Sequence, residues 1–137
     1  YQEENNNFAL SDISGEVFFF INSAEGDSSI IEPASGYTKK IKVKSIRLDD
    51  YVVKNSIDFI KFLKIEAEGC EPEVLKGAKN ILERIEYIGV DGSPERGLKS
   101  EATIDYAIDF LEKNNFKIIK SNINNSFSKV LFKNKQT

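Results

Sequence analysis

Histidine is absent from the 137 residues, and methionine is absent as well. Without histidine, the chain lacks the commonest general base and the commonest metal ligand, so acid–base chemistry has to use carboxylates, lysines, tyrosines or water. Cysteine occurs once, at Cys70, which excludes an internal disulfide and favours a reducing, cytoplasmic location. Because the chain begins at Tyr1 and has no methionine, we expect the natural product to extend further toward its amino terminus.

The charge balance and the shortness of the apolar runs argue against two classes of partner. The formal net charge is −3, so we expect no broad attraction to nucleic acid or to anionic membranes. The longest apolar stretch, residues 59–65, has the length of a strand and contains Lys61 and Lys64, so it is too short and too polar to span a bilayer. With 40% hydrophobic residues, the composition predicts one ordered globular domain over residues 1–137.

Residues 1–50 have the pattern of strands and hairpins. Residues 17–21 are strongly strand-prone, and residues 41–46 alternate apolar side chains with lysines, as an exposed edge strand does. We expect this second strand to end at residues 48–50.

Residues 51–137 have the pattern of an α/β unit. The near-continuous apolar run at 59–65 is typical of a parallel strand covered on both faces. Pro72 suits the first turn of a helix that continues to Leu82, and residues 85–90 form the next strand. Such a strand–helix–strand unit crosses over right-handedly onto a parallel sheet.

The carboxyl-terminal third predicts one more helix and two strands. Apolar residues at helical spacing indicate a helix over residues 101–113. Strands are predicted at 116–119 and 129–132, joined by an Asn- and Ser-rich connector that favours an antiparallel hairpin. The predicted fold class is therefore α/β, with a mostly parallel sheet that ends in an antiparallel hairpin.

Acidic residues follow the two predicted parallel strands. The first strand leads into Glu66, Glu68 and Gly69, and the second ends at Asp91, with Glu95 shortly after it. Open α/β sheets bind ligands beyond the carboxyl ends of their strands, where such carboxylates grip hydroxyl groups or accept protons. Acids after strands are also found simply solvated or capping a helix, and the spacing alone does not decide between these interpretations.

The segment 57–78 resembles the signature of FkbM-type methyltransferases. It contains an acid-x-Glu-Gly sequence at residues 66–69 and a Leu-x-Gly-Ala sequence at residues 75–78. Shorter similarities lie at residues 8–15, 28–30, 46–50 and 87–97, so the resemblance covers about residues 5–120. Glu66 stands where aspartate is usual in the family, and Cys70 stands where alanine is usual.

The resemblance implies a Rossmann-like, S-adenosylmethionine-dependent O-methyltransferase that acts on a hydroxyl group of a sugar or another small molecule. The acids at the carboxyl ends of the strands would orient or deprotonate this acceptor. Residues at the end of the first strand of this chain would flank the adenine of the cofactor. The candidate catalytic residues are Glu66, Glu68 and Asp91, and the candidate cofactor contacts are Ala9, Leu10, Ser11 and Gly69.

The resemblance also implies that the first two strands of the family's sheet, with the glycine-rich cofactor loop, would precede Tyr1. The strand at 59–65 would then have an exposed edge. We expect the chain alone to bind S-adenosylmethionine weakly or not at all and to be inactive. Residues 1–50 would rearrange, or two chains would pair across the exposed edge as a homo-oligomer.

Two functions of other classes fit the same residues. One is a non-catalytic interaction or oligomerisation module, and the other is a hydrolase that uses Glu66, Glu68 and Asp91 to hold a divalent cation. No sequence feature names the methyl acceptor.

Overall fold

The computed structural model describes residues 4–23 and 28–137, so residues 1–3 and 24–27 of the predicted domain lie outside the described part. Segments 79–84 and 97–99 are 3-10 turns. The other elements follow one another along the chain as β1 (Ala9–Leu10), β2 (Gly15–Ile21), β3 (Lys39–Ile46), α1 (Leu48–Lys54), β4 (Ile60–Glu66), α2 (Glu71–Gly77), β5 (Ile85–Asp91), β6 (Pro94–Arg96), β7 (Glu101–Ala102), α3 (Ile104–Lys113), β8 (Phe116–Ile123) and β9 (Ser128–Asn134).

A four-stranded sheet with the order β4-β5-β9-β8 forms the centre of the carboxyl-side part. β4 and β5 are parallel, while β9 is antiparallel to both β5 and β8. The predicted strand–helix–strand unit and the antiparallel hairpin are therefore confirmed. The expectation of a mostly parallel sheet is not confirmed, because β9 lies between β5 and β8 and makes two of the three strand pairs antiparallel.

β4 differs from the predicted strand that is covered on both faces. Among the described residues β5 alone pairs with it, so β4 is an edge strand, and the expected exposed edge is confirmed there. Ile65 is buried, whereas Phe62 on the opposite face keeps 52% of its surface exposed. A continuous apolar run does not reveal how many faces of a strand are covered, which explains the error.

A second sheet contains the strands of residues 1–50, in the order β1-β3-β2. β2 and β3 pair antiparallel and match the strands predicted at 17–21 and 41–46. The helix α1 was not predicted, since we expected residues 48–50 to end a strand. Asp49 lies in the first turn of α1, is buried, and accepts hydrogen bonds from Arg47 and Asn80, so tertiary contacts stabilise this helix.

The predicted helix from Pro72 to Leu82 is shorter than expected, because α2 ends at Gly77 and a 3-10 turn follows. The carbonyl oxygen of Ser11 packs against this end of α2. A Cβ atom at residue 77 would lie 2.1 Å from that oxygen, so the contact requires glycine. α3 likewise begins later than predicted, since Glu101 and Ala102 form β7.

The hydrophobic core lies between the helices and the four-stranded sheet. Burying a large apolar side chain contributes roughly 1.5–3 kcal/mol, so a small number of such residues dominates the stability of this layer. Its fully buried members include Val52, Leu75, Ile88, Leu111 and Phe132. Within the described residues, no helix has the length and apolarity that crossing a membrane requires.

Candidate active site

The carboxyl ends of β4 and β5 bring two predicted acids side by side. Glu66 and Asp91 are register partners on these parallel strands, and adjacent strands lie about 4.8 Å apart. Glu68 follows two residues later, in the turn formed by residues 67–70. We call the carboxylates of Glu66, Glu68 and Asp91 the acid rim.

Each end of the rim has a lysine partner. Glu66 is exposed and forms an ion pair with Lys64. Asp91 is mostly buried, accepts a hydrogen bond of 2.5 Å from Ser93 Oγ, and pairs with Lys129 Nζ at 2.9 Å. Burial would raise the pKa of Asp91, but the Ser93 hydrogen bond and the Lys129 charge outweigh it and lower that pKa below its usual value. Asp91 is thus suited to orient a ligand rather than to accept a proton.

The turn between β4 and α2 has a strained backbone. Glu68 has a φ of 48°, and its carbonyl oxygen accepts a hydrogen bond of 2.9 Å from Ser29 Oγ. Gly69 has a φ of 91°, and a Cβ atom there would lie 2.6 Å from the Cα atom of Arg96. The backbone of Arg96 therefore occupies the space beside Gly69, and contact of Gly69 with a cofactor stays a prediction.

Glu71 holds this turn in place from beneath. Its side chain is buried, with 1% of the residue exposed. Oε1 accepts hydrogen bonds from the amides of Ala67 at 2.8 Å and Gly69 at 3.3 Å, and Oε2 accepts one from Thr103 Oγ1 at 2.7 Å. Glu71 thus joins the turn to the start of α3, a role that its position at the start of a predicted helix did not reveal.

Glu95, on β6, lies within electrostatic range of the acid rim and was not among the predicted site residues. Burial raises its pKa, and the nearby carboxylates of Glu68, Asp91, Glu71 and Glu66 raise it further, to about 7. A carboxyl group with a pKa near neutrality exchanges protons readily at physiological pH. The sequence placed Glu95 shortly after Asp91, but it gave no sign that β6 folds back over the rim.

Arg96, the next residue of β6, contacts the turn before α2 and the first turn of that helix. Its guanidinium donates to both carboxylate oxygens of Glu73, each at 2.8 Å, and to the carbonyl oxygen of Gly69 at 2.5 Å. The two-pronged ion pair is a strong and geometrically specific contact. It attaches β6 to the first turn of α2.

The predicted cofactor contacts Ala9, Leu10 and Ser11 lie apart from the rim. Ser11 packs against Gly77 at the carboxyl end of α2, whereas the rim lies at the other end, about 9 Å away along the helix axis. Ser11 is 1% exposed, and its hydroxyl lies 2.8 Å from the hydroxyl of Ser45. The structure therefore does not bring these residues together with the predicted catalytic acids.

Two further observations concern other chemistry near the rim. Cys70 is buried, its Sγ atom lies 3.2 Å from Ser29 Oγ, and burial raises its pKa to about 11. These features fit a packing role for the thiol. In the described part of the chain, no three His, Cys, Asp or Glu side chains are arranged to hold a metal ion, so the geometry does not favour the metal-dependent hydrolase.

Comparison with known protein families gives one match that covers most of the chain. The family described as the methyltransferase FkbM domain matches residues 1–118 of the 137, a range that includes the rim, α2 and β6. A search of curated proteins gave no match, and a search of solved structures gave none either. The family match confirms the resemblance seen in residues 57–78, and the chain belongs to the FkbM methyltransferase family.

Proposed function

We propose that this chain is the carboxyl-side part of a Rossmann-like, S-adenosylmethionine-dependent O-methyltransferase whose acid rim receives a hydroxyl group of a sugar or another small molecule. The observation that supports this best is the meeting of Glu66 and Asp91 at one sheet edge, with Glu95 facing them from β6. Carboxylates in such a group accept hydrogen bonds from the several hydroxyls of a polyol.

Different rim residues suit different steps. Because its pKa is about 7, the Glu95 carboxyl is partly ionised at neutral pH and is the best placed group to take the proton of the acceptor hydroxyl. Asp91 stays ionised beside Lys129 and suits a hydrogen bond to the acceptor. Glu66 is exposed at the mouth of the rim and suits a second such contact.

The rim fits one end of the cofactor. S-Adenosylmethionine, when bound, supplies a methyl group on a positively charged sulfonium, and a group of carboxylates favours a cation nearby. The predicted adenine contacts offer fewer hydrogen-bonding groups, because the hydroxyl of Ser11 already bonds within the protein. We therefore propose that Glu66, Glu68, Asp91 and Gly69 lie at the sulfonium end, and that affinity of this chain alone is weak.

Two further features bear on the compartment and the oligomeric state of the protein. The buried Cys70 and the missing disulfide suit a reducing, cytoplasmic compartment. Within the part of the chain that the structure describes, no strand pairs with the outer edge of β4, and this edge offers backbone groups to a second copy of the chain, which would give a homo-oligomer. We propose no nucleic-acid or membrane partner, given the net charge of −3.

A titration followed by amide NMR tests where the cofactor acts. We expect millimolar S-adenosylmethionine to shift the amide signals of residues 66–70 and 91–96, and magnesium chloride to leave them in place. Shifts caused by magnesium alone would favour the hydrolase. The absence of shifts with S-adenosylmethionine would contradict contact between the acid rim and the cofactor in this chain.

A methyl-transfer assay tests the reaction itself. The natural gene product that contains this chain is incubated with methyl-labelled S-adenosylmethionine and a panel of sugars and other hydroxylated compounds. We expect label in the oxygen-linked methyl group of at least one acceptor, and an activity roughly 100-fold lower in Glu95→Gln, the size typical of a lost general base. An undiminished rate in Glu95→Gln would contradict the role of this carboxylate.

A further inference from the structure

We propose that Arg96 is a positioning residue that holds Glu95 at the acid rim. This inference rests on the proposed function for the catalytic role of Glu95, whereas the contacts of Arg96 can be tested without cofactor or acceptor. Arg96 acts through β6, the strand that it shares with Glu95, since its guanidinium bonds Glu73 and Gly69 and no bond to a rim carboxylate is seen among the described residues.

The Arg96 side chain fixes β6 to α2 and to the turn before it through three hydrogen bonds. Two join the guanidinium to Glu73 at 2.8 Å, and the third reaches the carbonyl oxygen of Gly69 at 2.5 Å. The ion pair is partly shielded from water, with 28% of the Arg96 side chain and 15% of the Glu73 side chain exposed. A shielded, two-pronged pair of this kind holds its geometry better than an exposed pair.

The Arg96 backbone is held as closely as its side chain. Gly69 leaves no room for a Cβ atom, which would lie 2.6 Å from Arg96 Cα and 2.9 Å from Arg96 Cβ. β6 therefore rests directly on the turn that carries Glu68. Fixing Arg96 against this turn also fixes the backbone of its neighbour Glu95, whose carboxyl group lies within electrostatic range of Glu68 and Asp91.

The pairing of β6 with β7 adds little support to the position of Arg96 and Glu95. β6 has three residues and its partner β7 has two, and their pairing is irregular between Pro94 and Arg96. A strand pair this short is not stable by itself. Glu95 is therefore held from both sides, by the hydrogen bond from its own amide to the Ser93 carbonyl oxygen at 2.9 Å and by the contacts of Arg96 with Glu73 and Gly69.

A purely electrostatic role for Arg96 predicts the opposite result from a positioning role. Replacing Arg96 with glutamine removes a positive charge and leaves Glu73 unpaired, and both changes would raise the pKa of a nearby carboxyl group. Release of Glu95 into solvent would lower its pKa instead. The charged groups that act on Glu95 are Glu66 of β4, Glu68 of the turn, Glu71 of α2, Asp91 of β5 and Lys129 of β9.

The test is an NMR titration of the side-chain carboxyl carbons in the full chain, with Glu95→Gln used to assign the Glu95 signal. We expect the pKa of Glu95 to fall by more than one unit in Arg96→Gln and in Arg96→Lys, which keeps the charge but loses the two-pronged pair. Arg47→Gln, which breaks the Arg47–Asp49 ion pair away from the rim, is the control and should leave it unchanged.

An unchanged or higher pKa of Glu95 in the folded Arg96 variants would overturn the proposal. Circular dichroism checks folding, and if Arg96→Gln does not fold, Arg96→Lys decides by the same criterion. Because no cofactor or acceptor is present, failure to find methyl transfer leaves this result intact. Conversely, a methyl-transfer activity that needs Glu95 would survive a negative result for Arg96.

Discussion

Glu66 and Asp91 stand opposite each other at the last paired positions of two parallel strands. Their lysine partners come from different directions, since Lys64 belongs to the same strand as Glu66, whereas Lys129 reaches Asp91 from β9. The antiparallel insertion of β9 beside β5 thus supplies the charge that keeps Asp91 ionised. The sequence predicted that the acids at the strand ends exchange protons. In the structure, Glu95 has the pKa that suits this role.

Replacing Glu95 with glutamine should stabilise the protein in a pH-dependent way. Burial and the surrounding carboxylates raise the pKa of Glu95 from the usual 4.5 to about 7 in the folded state. As the pH rises from about 4.5 to 7, the unfolded chain therefore loses this proton before the folded protein does, and stability falls.

Urea denaturation at pH 4, 6 and 8 measures this effect. We expect Glu95→Gln to exceed the wild type by on the order of 1 kcal/mol at pH 8, allowing for solvent screening, and to lose this advantage at pH 4. The exposed Glu83→Gln serves as the control and should show no such trend. An advantage of Glu95→Gln that is the same at every pH would contradict the account.

Replacing Glu71 with alanine should destabilise the fold by about 2–4 kcal/mol, since it leaves the Ala67 amide, the Gly69 amide and the Thr103 hydroxyl without their buried acceptor. Glu71→Gln should cost less, because the amide keeps one acceptor oxygen and its nitrogen can donate to Thr103. Chemical denaturation gives both values, with exposed Glu112→Ala as the control. Equal losses in the two Glu71 variants would argue against this hydrogen-bond arrangement.

Replacing Gly77 with alanine should displace β1 from α2. The new Cβ atom would meet the carbonyl oxygen of Ser11 at 2.1 Å, and such overpacking costs about 1–3 kcal/mol. We expect faster hydrogen exchange at the Ser11 amide, which normally donates to the Ile46 carbonyl at 3.2 Å. Lys79→Ala, an exposed change two residues further on, should leave that exchange rate unaltered.

Cys70 should react slowly with alkylating reagents in the folded protein. Burial raises its pKa from 9.0 to about 11, which lowers the thiolate fraction at neutral pH roughly 100-fold, and the reagent is also kept out. Mass spectrometry after iodoacetamide treatment should show at least this difference between native protein and protein in urea. Equal rates in the two conditions would show that Cys70 is exposed.

Local patterns predicted most of the strands and two of the helices. The apolar runs predicted β4 and β5, and the Asn-rich connector predicted the β8–β9 hairpin. The parallel pairing of β4 with β5 predicted that Glu66 and Asp91 meet. These features depend on periodicity and on the common edge of parallel strands, both of which can be read along the chain.

The remaining features depend on contacts between residues far apart in sequence. Glu71 directly precedes Pro72 at the start of the predicted helix, but its buried role requires Thr103, 32 positions away. The position of Glu95 requires Arg96 to reach back to Glu73, 23 positions earlier. The adenine contacts proposed for Ala9, Leu10 and Ser11 came from the family resemblance alone, which gives no information on how β1 packs against α2.

The most direct test of the account is a titration of the wild-type carboxyl signals by NMR, followed by the same titration of Glu68→Gln. If the acid rim surrounds Glu95, its pKa lies near 7 in the wild type and falls when the charge of Glu68 is removed. A Glu95 pKa close to the usual 4.5, unaffected by Glu68→Gln, would show that these carboxylates do not form a common site.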